Sequence, residues 1–206
     1  MAAIIGKKLG MTQVFTEDGS RVPVTVIEAA PCKVTAVRDP ERDGYAAVQL
    51  AADEVAEKRL TKGELGHLKK AGAPPMRTLV EFRDEGGDRQ IGEELTVEQF
   101  EPGQRVKVRG VGVGKGFQGT VRRHGFSRGP VSHGSHNVRA PGSIGASADP
   151  ARVFKGKRMP GRMGGRRVTQ RRLEVVEIDL EHNLLLVRGA VPGPKGGTVE
   201  VRSDAG

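Results

Sequence analysis

The chain has 206 residues, with 34 Lys plus Arg against 25 Asp plus Glu, which gives a formal net charge of +9. This length allows one ordinary domain, with or without one large insertion, and the positive charge favours a polyanionic partner or an anionic membrane surface over a neutral one. The one cysteine, Cys32, excludes an internal disulfide framework and every multi-cysteine metal site. No apolar run approaches the roughly 18 residues of a membrane span. The composition predicts a soluble intracellular protein.

Several short segments alternate apolar and polar residues, which is typical of strands with one buried face. The clearest are residues 22–26, 105–109 and 176–180, and an apolar run follows at residues 184–187. Turn-forming residues punctuate the flanks at residues 17–20, 40–44, 84–87 and 181–183. Short strands at this spacing predict a mostly β fold built on a closed or nearly closed barrel.

One helix is predicted at about residues 62–71. Thr61 and Glu64 have the spacing of a capping box, in which each side chain bonds to the other residue's backbone N–H. Leu65 and Leu68 are three residues apart and therefore lie on one face of a helix. We expect this helix to lie on the outside of the barrel.

The distribution of charge divides the chain into three parts. Residues 1–100 hold 14 cations and 17 acids, residues 101–172 hold 17 and 2, and residues 173–206 hold 3 and 6. The net charges are −3, +15 and −3, so the whole basic excess lies in the middle part, together with 15 of the 30 glycines. Such a segment indicates an interaction with a partner.

Within the middle part, residues 113–167 show no sustained helical or strand period. Ordinary connections have a median of about 4 to 6 residues, and much longer ones are functional or disordered. The scattered apolar side chains of this segment are too few for a core of their own. We therefore predict a globular barrel domain of residues 1–112 and 168–206, with residues 113–167 as an extended basic arm that becomes ordered against a partner.

One glycine pattern of the arm resembles a nucleotide-binding loop but lacks the required context. Gly114, Gly116 and Gly119 match the glycine spacing of a dinucleotide site. Gly125 and Pro130 interrupt the helix that must follow in such a site. We therefore expect no cofactor and no small-molecule substrate.

Zinc is often bound by histidine, and the arm contains three histidines: His124, His133 and His136. The arginines around them repel a dication, so we favour contacts with nucleic acid over a metal site. Cys32 is expected to be a small core residue, and the arm has no paired carboxylates for acid/base chemistry. The sequence therefore predicts no metal and no enzymatic activity.

Lysine and arginine on glycine-rich backbone suit the binding of phosphates, because glycine lets the main-chain N–H groups approach closely. Residues 112–116 and 161–167 have this character. A long arm that passes between helices suits folded RNA better than duplex DNA. A basic protein that shapes DNA is the alternative, and an enzyme is a distant third.

Six segments, in order along the whole chain, are familiar. They are residues 6–12 (GKKLGMT), 23–28 (PVTVIE), 114–121 (GKGFQGTV), 141–145 (PGSIG), 153–159 (VFKGKRM) and 183–193 (NLLLVRGAVPG). Together they strongly resemble the family of bacterial large-subunit ribosomal protein three, which is universal.

The resemblance implies a six-stranded barrel of the translation-protein type that binds the 23S rRNA of the large (50S) subunit directly and early in assembly. It also implies a long arm that reaches toward the peptidyl transferase centre, with its inner tip near residues 143–149. Large-subunit proteins fourteen and nineteen would be its neighbours, and no membrane would be a partner. The protein would be located in the ribosome, in the cytoplasm. Residues 146–148 depart from the glutamine-containing stretch of many bacterial relatives, so methylation of that glutamine is not expected.

The expected rRNA-binding residues are mainly cations, with glycines, histidines and small residues of the arm. They are Lys7, Lys8, Lys115, Gly116, Phe117, Arg122, Arg123, His124, Arg128, His133, His136, Arg139, Ser143, Gly145, Ser147, Lys155, Lys157, Arg158, Arg162, Arg166, Arg167, Arg171 and Arg172.

Overall fold

The computed structural model describes residues 2–83 and 89–204. The strands are β1 (Ala3–Phe15), β2 (Arg21–Glu28), β3 (Cys32–Arg38), β4 (Ala47–Glu54), β5 (Met76–Arg83), β6 (Glu94–Leu95), β7 (Arg105–Val111), β8 (Phe117–Gln118), β9 (Gly161–Arg162), β10 (Arg167–Asp179), β11 (Leu184–Arg188) and β12 (Thr198–Ser203). The α-helices are α1 (Pro40–Asp43), α2 (Lys62–Lys70) and α3 (Thr120–His124), and single 3-10 turns lie at Glu57–Arg59 and Val97–Gln99.

Six strands form a closed antiparallel barrel in the order β1-β12-β7-β10-β11-β2, and β2 pairs back onto β1. The alternating residues of these strands point inward, so that Val106 and Val108 of β7 are fully buried together with Val175, Leu185 and Val201. The predicted mostly β fold with a six-stranded barrel is confirmed.

A separate four-stranded antiparallel sheet has the order β5-β4-β3-β6. Its residues Val34, Leu50 and Phe82 belong to the same buried cluster as Ile4 and Ile5 of the barrel strand β1. The sequence pattern predicts one barrel and does not separate this sheet from it. Strands of both sheets carry the same type of half-buried pattern, which identifies a strand but not its partner.

Helix α2 forms where it was predicted, and its capping box is present. The backbone N–H of Thr61 donates to the Glu64 carboxylate at 2.8 Å, and the N–H of Glu64 donates to the Thr61 hydroxyl at 3.4 Å. Leu68 packs with Ala51 of β4 and Met76 of β5. The expected position on the barrel is therefore wrong, because the apolar face of α2 is buried against the four-stranded sheet.

Local structure differs from the prediction at two further places. The predicted turn at residues 40–44 contains the short helix α1, because the Asp39 side chain accepts from the N–H of Glu41 and Gly44 ends the helix at φ +78°. The segment without a sustained period contains α3 and the paired strands β8 and β9. The turn predicted at residues 84–87 lies outside the described residues.

The chain divides into two compact units. The first unit is residues 1–112 with 167–206 and holds the barrel and the four-stranded sheet; the second is residues 113–166 and holds β8, β9 and α3. None of the described helices is long and apolar enough to span a membrane.

Candidate nucleic-acid interface

The second unit concentrates positive charge. Its 54 residues contain eleven Lys and Arg and a single acid, Asp149. None of these eleven cations forms an ion pair with a described residue. Like charges at this density repel one another unless a polyanion neutralises them.

Eighteen of the twenty-three predicted rRNA-binding residues lie in this unit. The other five, Lys7, Lys8, Arg167, Arg171 and Arg172, belong to the first unit. The structure therefore brings most of the predicted set into one compact part of the chain.

A short antiparallel pair joins the two ends of the second unit. Phe117 of β8 pairs with Arg162 of β9. The N–H of Lys115 donates to the carbonyl of Met163, and the N–H of Met163 donates to the carbonyl of Gly116, both at 2.9 Å. The side chains of Lys115 and Arg162 are exposed, and Phe117 is 76% exposed. The backbone bonds thus fix the strands while the side chains face outward.

Gly164 allows the chain to approach itself closely beside this pair. Its φ of +70° lies in the left-handed region, and an added Cβ would overlap the carbonyl oxygen of Val113. Only glycine satisfies both conditions without strain. This position therefore has a structural reason for its glycine.

Helix α3 holds a distant part of the second unit in place. The Nη1 atom of Arg123 donates to the carbonyl oxygen of Met159 at 2.7 Å, and Nε2 of His124 lies 3.0 Å from the same oxygen. Both side chains are half-buried, whereas Arg122 is exposed. Arg123 and His124 therefore have partners within the chain. Nη1 of Arg122 also donates to Oε1 of Gln118, at 3.4 Å, but the side chain is exposed and is the most open of the three to a ligand.

The loop after α3 presents Arg128, His133, His136 and Arg139, all of which are exposed. The N–H of Gly129 donates to the carbonyl of Val138 at 3.0 Å and closes the base of this loop. No group of three possible metal ligands occurs in the described chain.

The predicted tip of the arm, residues 143–149, is exposed throughout. The hydroxyl of Ser143 donates to the carbonyl of Gly145 at 3.0 Å. Both residues and Ser147 line an open depression together with Arg152. Because Ser143, Gly145 and Ser147 are small, they leave space in this depression.

The cations that follow the tip are also exposed, and they are Lys155, Lys157, Arg158 and Arg166. Arg152 is an arm cation that is not among the predicted rRNA-binding residues. Its guanidinium lies 5.4 Å from the centre of the Phe154 ring, a cation–π arrangement. Arg152 could have been predicted as an interface residue, because it is one of the arm cations. No sequence pattern predicts its contact with the Phe154 ring.

Two predicted residues of the first unit have intramolecular partners. Lys7 forms an ion pair with Asp53. The ammonium group of Lys8 donates to the carbonyl oxygens of Val191 at 2.8 Å and Gly193 at 3.0 Å. These contacts give both lysines a role in the fold itself.

Arg171 and Arg172 lie on a β-bulge, since Gln170 and Leu173 of β10 pair with positions only two residues apart on β7. The N–H of Arg172, at φ +56°, donates to the carboxylate of Asp204 at 3.1 Å, and Nη2 of Arg171 lies 4.0 Å from it. Both side chains are exposed, as is that of Arg167 at the start of β10. The bulge thus turns two adjacent arginines outward.

Cys32 offers no reactive group. Its side chain is fully buried, and desolvation by burial raises the pKa of the thiol to about 11. A thiol with this pKa remains protonated at neutral pH and is a poor nucleophile. Cys32 is therefore a core residue rather than a nucleophile.

Comparison with known proteins gives a consistent family. The family model described as "Ribosomal protein L3" matches residues 70–181. The chain is 55% identical over 204 residues to "Large ribosomal subunit protein uL3" of Acidothermus cellulolyticus, covering 98% of this chain and 92% of that protein. It is 52% identical over 199 residues to the protein of the same name from Thermosynechococcus vestitus, covering 96% and 94%. The chain therefore belongs to the ribosomal protein L3 family, whose members are structural proteins and not enzymes.

Proposed function

We propose that this chain, a structural protein of the large ribosomal subunit, binds the 23S rRNA directly through its second unit. The observation that carries the proposal is the charge of that unit: eleven cations and one acid, with no ion pair to a described residue. Each cation that contacts a phosphate releases condensed counterions, which drives binding. The paired strands and α3 hold the backbone, so less conformational entropy is lost on binding.

Single side chains of the unit divide into two roles. Exposed cations such as Lys115, Arg122 and Arg158 neutralise phosphates. Arg123 and His124, which contact the Met159 carbonyl, hold the fold of the unit and support the exposed residues. This division follows from burial, since Arg123 and His124 are half-buried and the other three cations are exposed.

The arm tip reaches toward the peptidyl transferase centre and supports the RNA there. Family membership and the resemblance of the PGSIG segment support this placement. Residues 143–149 contain one ionisable side chain, Asp149, and no activated nucleophile, so their role is to position RNA. The same resemblance supports binding early in assembly, with large-subunit proteins fourteen and nineteen as neighbours.

Affinity and nuclease sensitivity test the direct binding of rRNA. The purified protein is expected to bind 23S rRNA with an affinity that falls steeply with salt. In a lysate it should sediment with large subunits after DNase treatment and lose this association after RNase treatment. Sedimentation that resists RNase but is lost with DNase would contradict the proposal and favour the DNA-shaping alternative.

Variants of the tip separate positioning from chemistry. Gly145 has space for a side chain, since an added Cβ would lie 3.7 Å from the Arg152 carbonyl oxygen. Gly145→Trp should therefore fold and slow peptide-bond formation on purified ribosomes by displacing the adjacent RNA, whereas Ser147→Ala and Asp149→Asn should have modest effects. A loss of several orders of magnitude from Ser147→Ala, with assembly intact, would mean that the side chain takes part in the reaction.

A further inference from the structure

The first unit carries a second group of cations that the candidate interface does not include. Residues 57–77 contain six Lys and Arg and two Glu, a net charge of +4, whereas the remainder of residues 1–100 has a net charge of −7. We call these six cations the helix-side basic surface: Lys58, Arg59, Lys62, Lys69, Lys70 and Arg77. Positive charge is thus concentrated around α2 within an otherwise acidic region.

Packing brings the six cations to one side of the four-stranded sheet. Leu60, Leu68 and Leu79 meet in a single apolar cluster. The first two cations immediately precede Leu60, and the three lysines belong to α2, which carries Leu68. Arg77 is two residues from Leu79 on β5 and therefore shares its face of the sheet. The six cations are thus carried by the three segments that meet in this cluster.

The charge of this surface is not compensated locally. All six side chains are exposed, and none forms an ion pair with a described residue. The carboxylate of Glu64 accepts from the N–H and the hydroxyl of Thr61, both at 2.8 Å, and is thereby used in the capping box. These cations are therefore free to pair with an anionic partner.

Two glycines in α2 leave part of the helix backbone without side-chain cover. Gly63 and Gly66 are exposed, have no positive φ, and an added Cβ at either would meet no atom within 4 Å. Glycine weakens a helix, so the fold itself gives no reason for it at these positions. Gly66 lies four residues from Lys62 and Lys70 and three from Lys69, which makes it their neighbour on the helix surface. Three lysines thus border a place where a partner can touch the helix backbone.

We propose that the helix-side basic surface is a second contact with rRNA, in which a sugar-phosphate strand lies over Gly66 and its phosphates pair with Lys62, Lys69 and Lys70. This inference rests on the proposed function of rRNA binding. A sugar-phosphate backbone fits because the surface offers positive charge and lets the strand come close to the helix backbone. No large hydrophobic side chain is exposed within residues 57–77, all of which are described, so a peptide would find little apolar surface there.

The full-length protein with Gly66→Ala provides a sensitive test. Alanine favours the helix, so the thermal midpoint should stay the same or rise. The added methyl group should hold the RNA strand away from the helix and weaken 23S rRNA binding by about tenfold, comparable with the loss of one charged contact. A variant with raised or equal stability and unchanged affinity would overturn the proposal.

A charge variant tests the same surface independently. Replacing Lys62, Lys69 and Lys70 by Gln should reduce the log–log salt slope of rRNA binding by about 2 to 3 if each contacts one phosphate. The control replaces three exposed cations of the first unit that lie outside this surface and form no ion pair with a described residue, by Arg21→Gln, Arg105→Gln and Lys195→Gln, and removes the same net charge. The control should change the slope by less than about 1.

The outcomes distinguish this inference from the proposed function. If the lysine variant matches the control while neutralisation of arm cations still weakens binding, the second contact is wrong and the proposed function stands. If the wild-type protein does not bind 23S rRNA, both are wrong. Normal rRNA affinity of the lysine variant with poor incorporation into subunits would assign the surface to an acidic protein partner and overturn the RNA contact.

Discussion

Gly164 is the residue at which backbone geometry most directly limits the candidate interface. Gly164→Ala should weaken the β8–β9 pair, because the left-handed φ costs about 1 to 2 kcal/mol and the added Cβ overlaps the Val113 carbonyl oxygen. We expect faster amide hydrogen exchange at Lys115 and Met163. Gly156→Ala is the matched control, since Gly156 has a φ of +84° but open space around its Cβ. Equal exchange in the two variants would show that the close approach to Val113 is unimportant.

Glu64 gives a pH-dependent prediction at the same scale. Hydrogen bonds from the Thr61 backbone N–H and then from its hydroxyl lower the pKa of Glu64. A lowered folded-state pKa stabilises the protein above the ordinary pKa of glutamate, about 4.3, and this stabilisation is lost as the pH falls through the lowered pKa. Glu64→Gln should therefore reduce the urea midpoint at pH 7 and have a smaller effect at pH 3.

The control for this titration is Glu177→Gln, which changes an exposed glutamate on β10. It should shift the urea midpoint little at either pH. A Glu64→Gln effect of equal size at pH 7 and pH 3 would show that the charge of Glu64 does not support the helix.

Side-chain types could be predicted as interface residues, but their partners could not. The dominance of cations in the arm predicts Lys115 and Arg122 as interface residues, and both are exposed. Arg123 has the same residue type, yet it donates to the carbonyl of Met159, 36 residues away. Every residue has a backbone carbonyl, so no sequence pattern marks the one that a distant arginine will contact.

At the scale of the elements, the arm connects two paired strands, as the loop of a hairpin does. This position predicts that the barrel folds without the arm. Val111 of β7 and Arg167 of β10 are paired, so their Cα atoms are about 4.5 to 5.5 Å apart. A linker of about four residues can replace residues 113–166, as in an ordinary hairpin. The shortened protein should show one cooperative urea transition, and loss of cooperativity would show that the first unit depends on the second.

The elements with a strong periodic signal were predictable, and short or unusual ones were not. Alternation in β7 and the capping box of α2 each indicated the correct element. Helix α3 has five residues and no side-chain cap at Gly119, so it lacks both signals. Strand β4 is buried on both faces over Ala51 and its neighbours, which conceals the alternation that marks a strand. Even a clear alternation would not have identified the strands with which it pairs.

For the whole molecule, the charge of the arm predicts how binding depends on salt. Replacing six exposed arm cations by Gln should reduce the log–log salt slope of 23S rRNA binding by about 4 to 5, if each contacts one phosphate. The six are Lys115, Arg122, Arg128, Arg139, Lys155 and Lys157. The urea midpoint should change little because these side chains are exposed. Equal slopes for variant and wild type would show that the arm does not neutralise phosphates.

The order of strands in the barrel also has a consequence for synthesis of the chain. Strand β12 lies between β1 and β7, although the ribosome makes it after the other five barrel strands. Until residues 198–203 emerge, β1 and β7 each have an open edge that is available to pair with another chain. Pairing across such sequence distance is slow and leaves partly folded chains prone to aggregation. A nascent chain arrested before Thr198 should therefore require chaperone protection, which release of the completed chain removes.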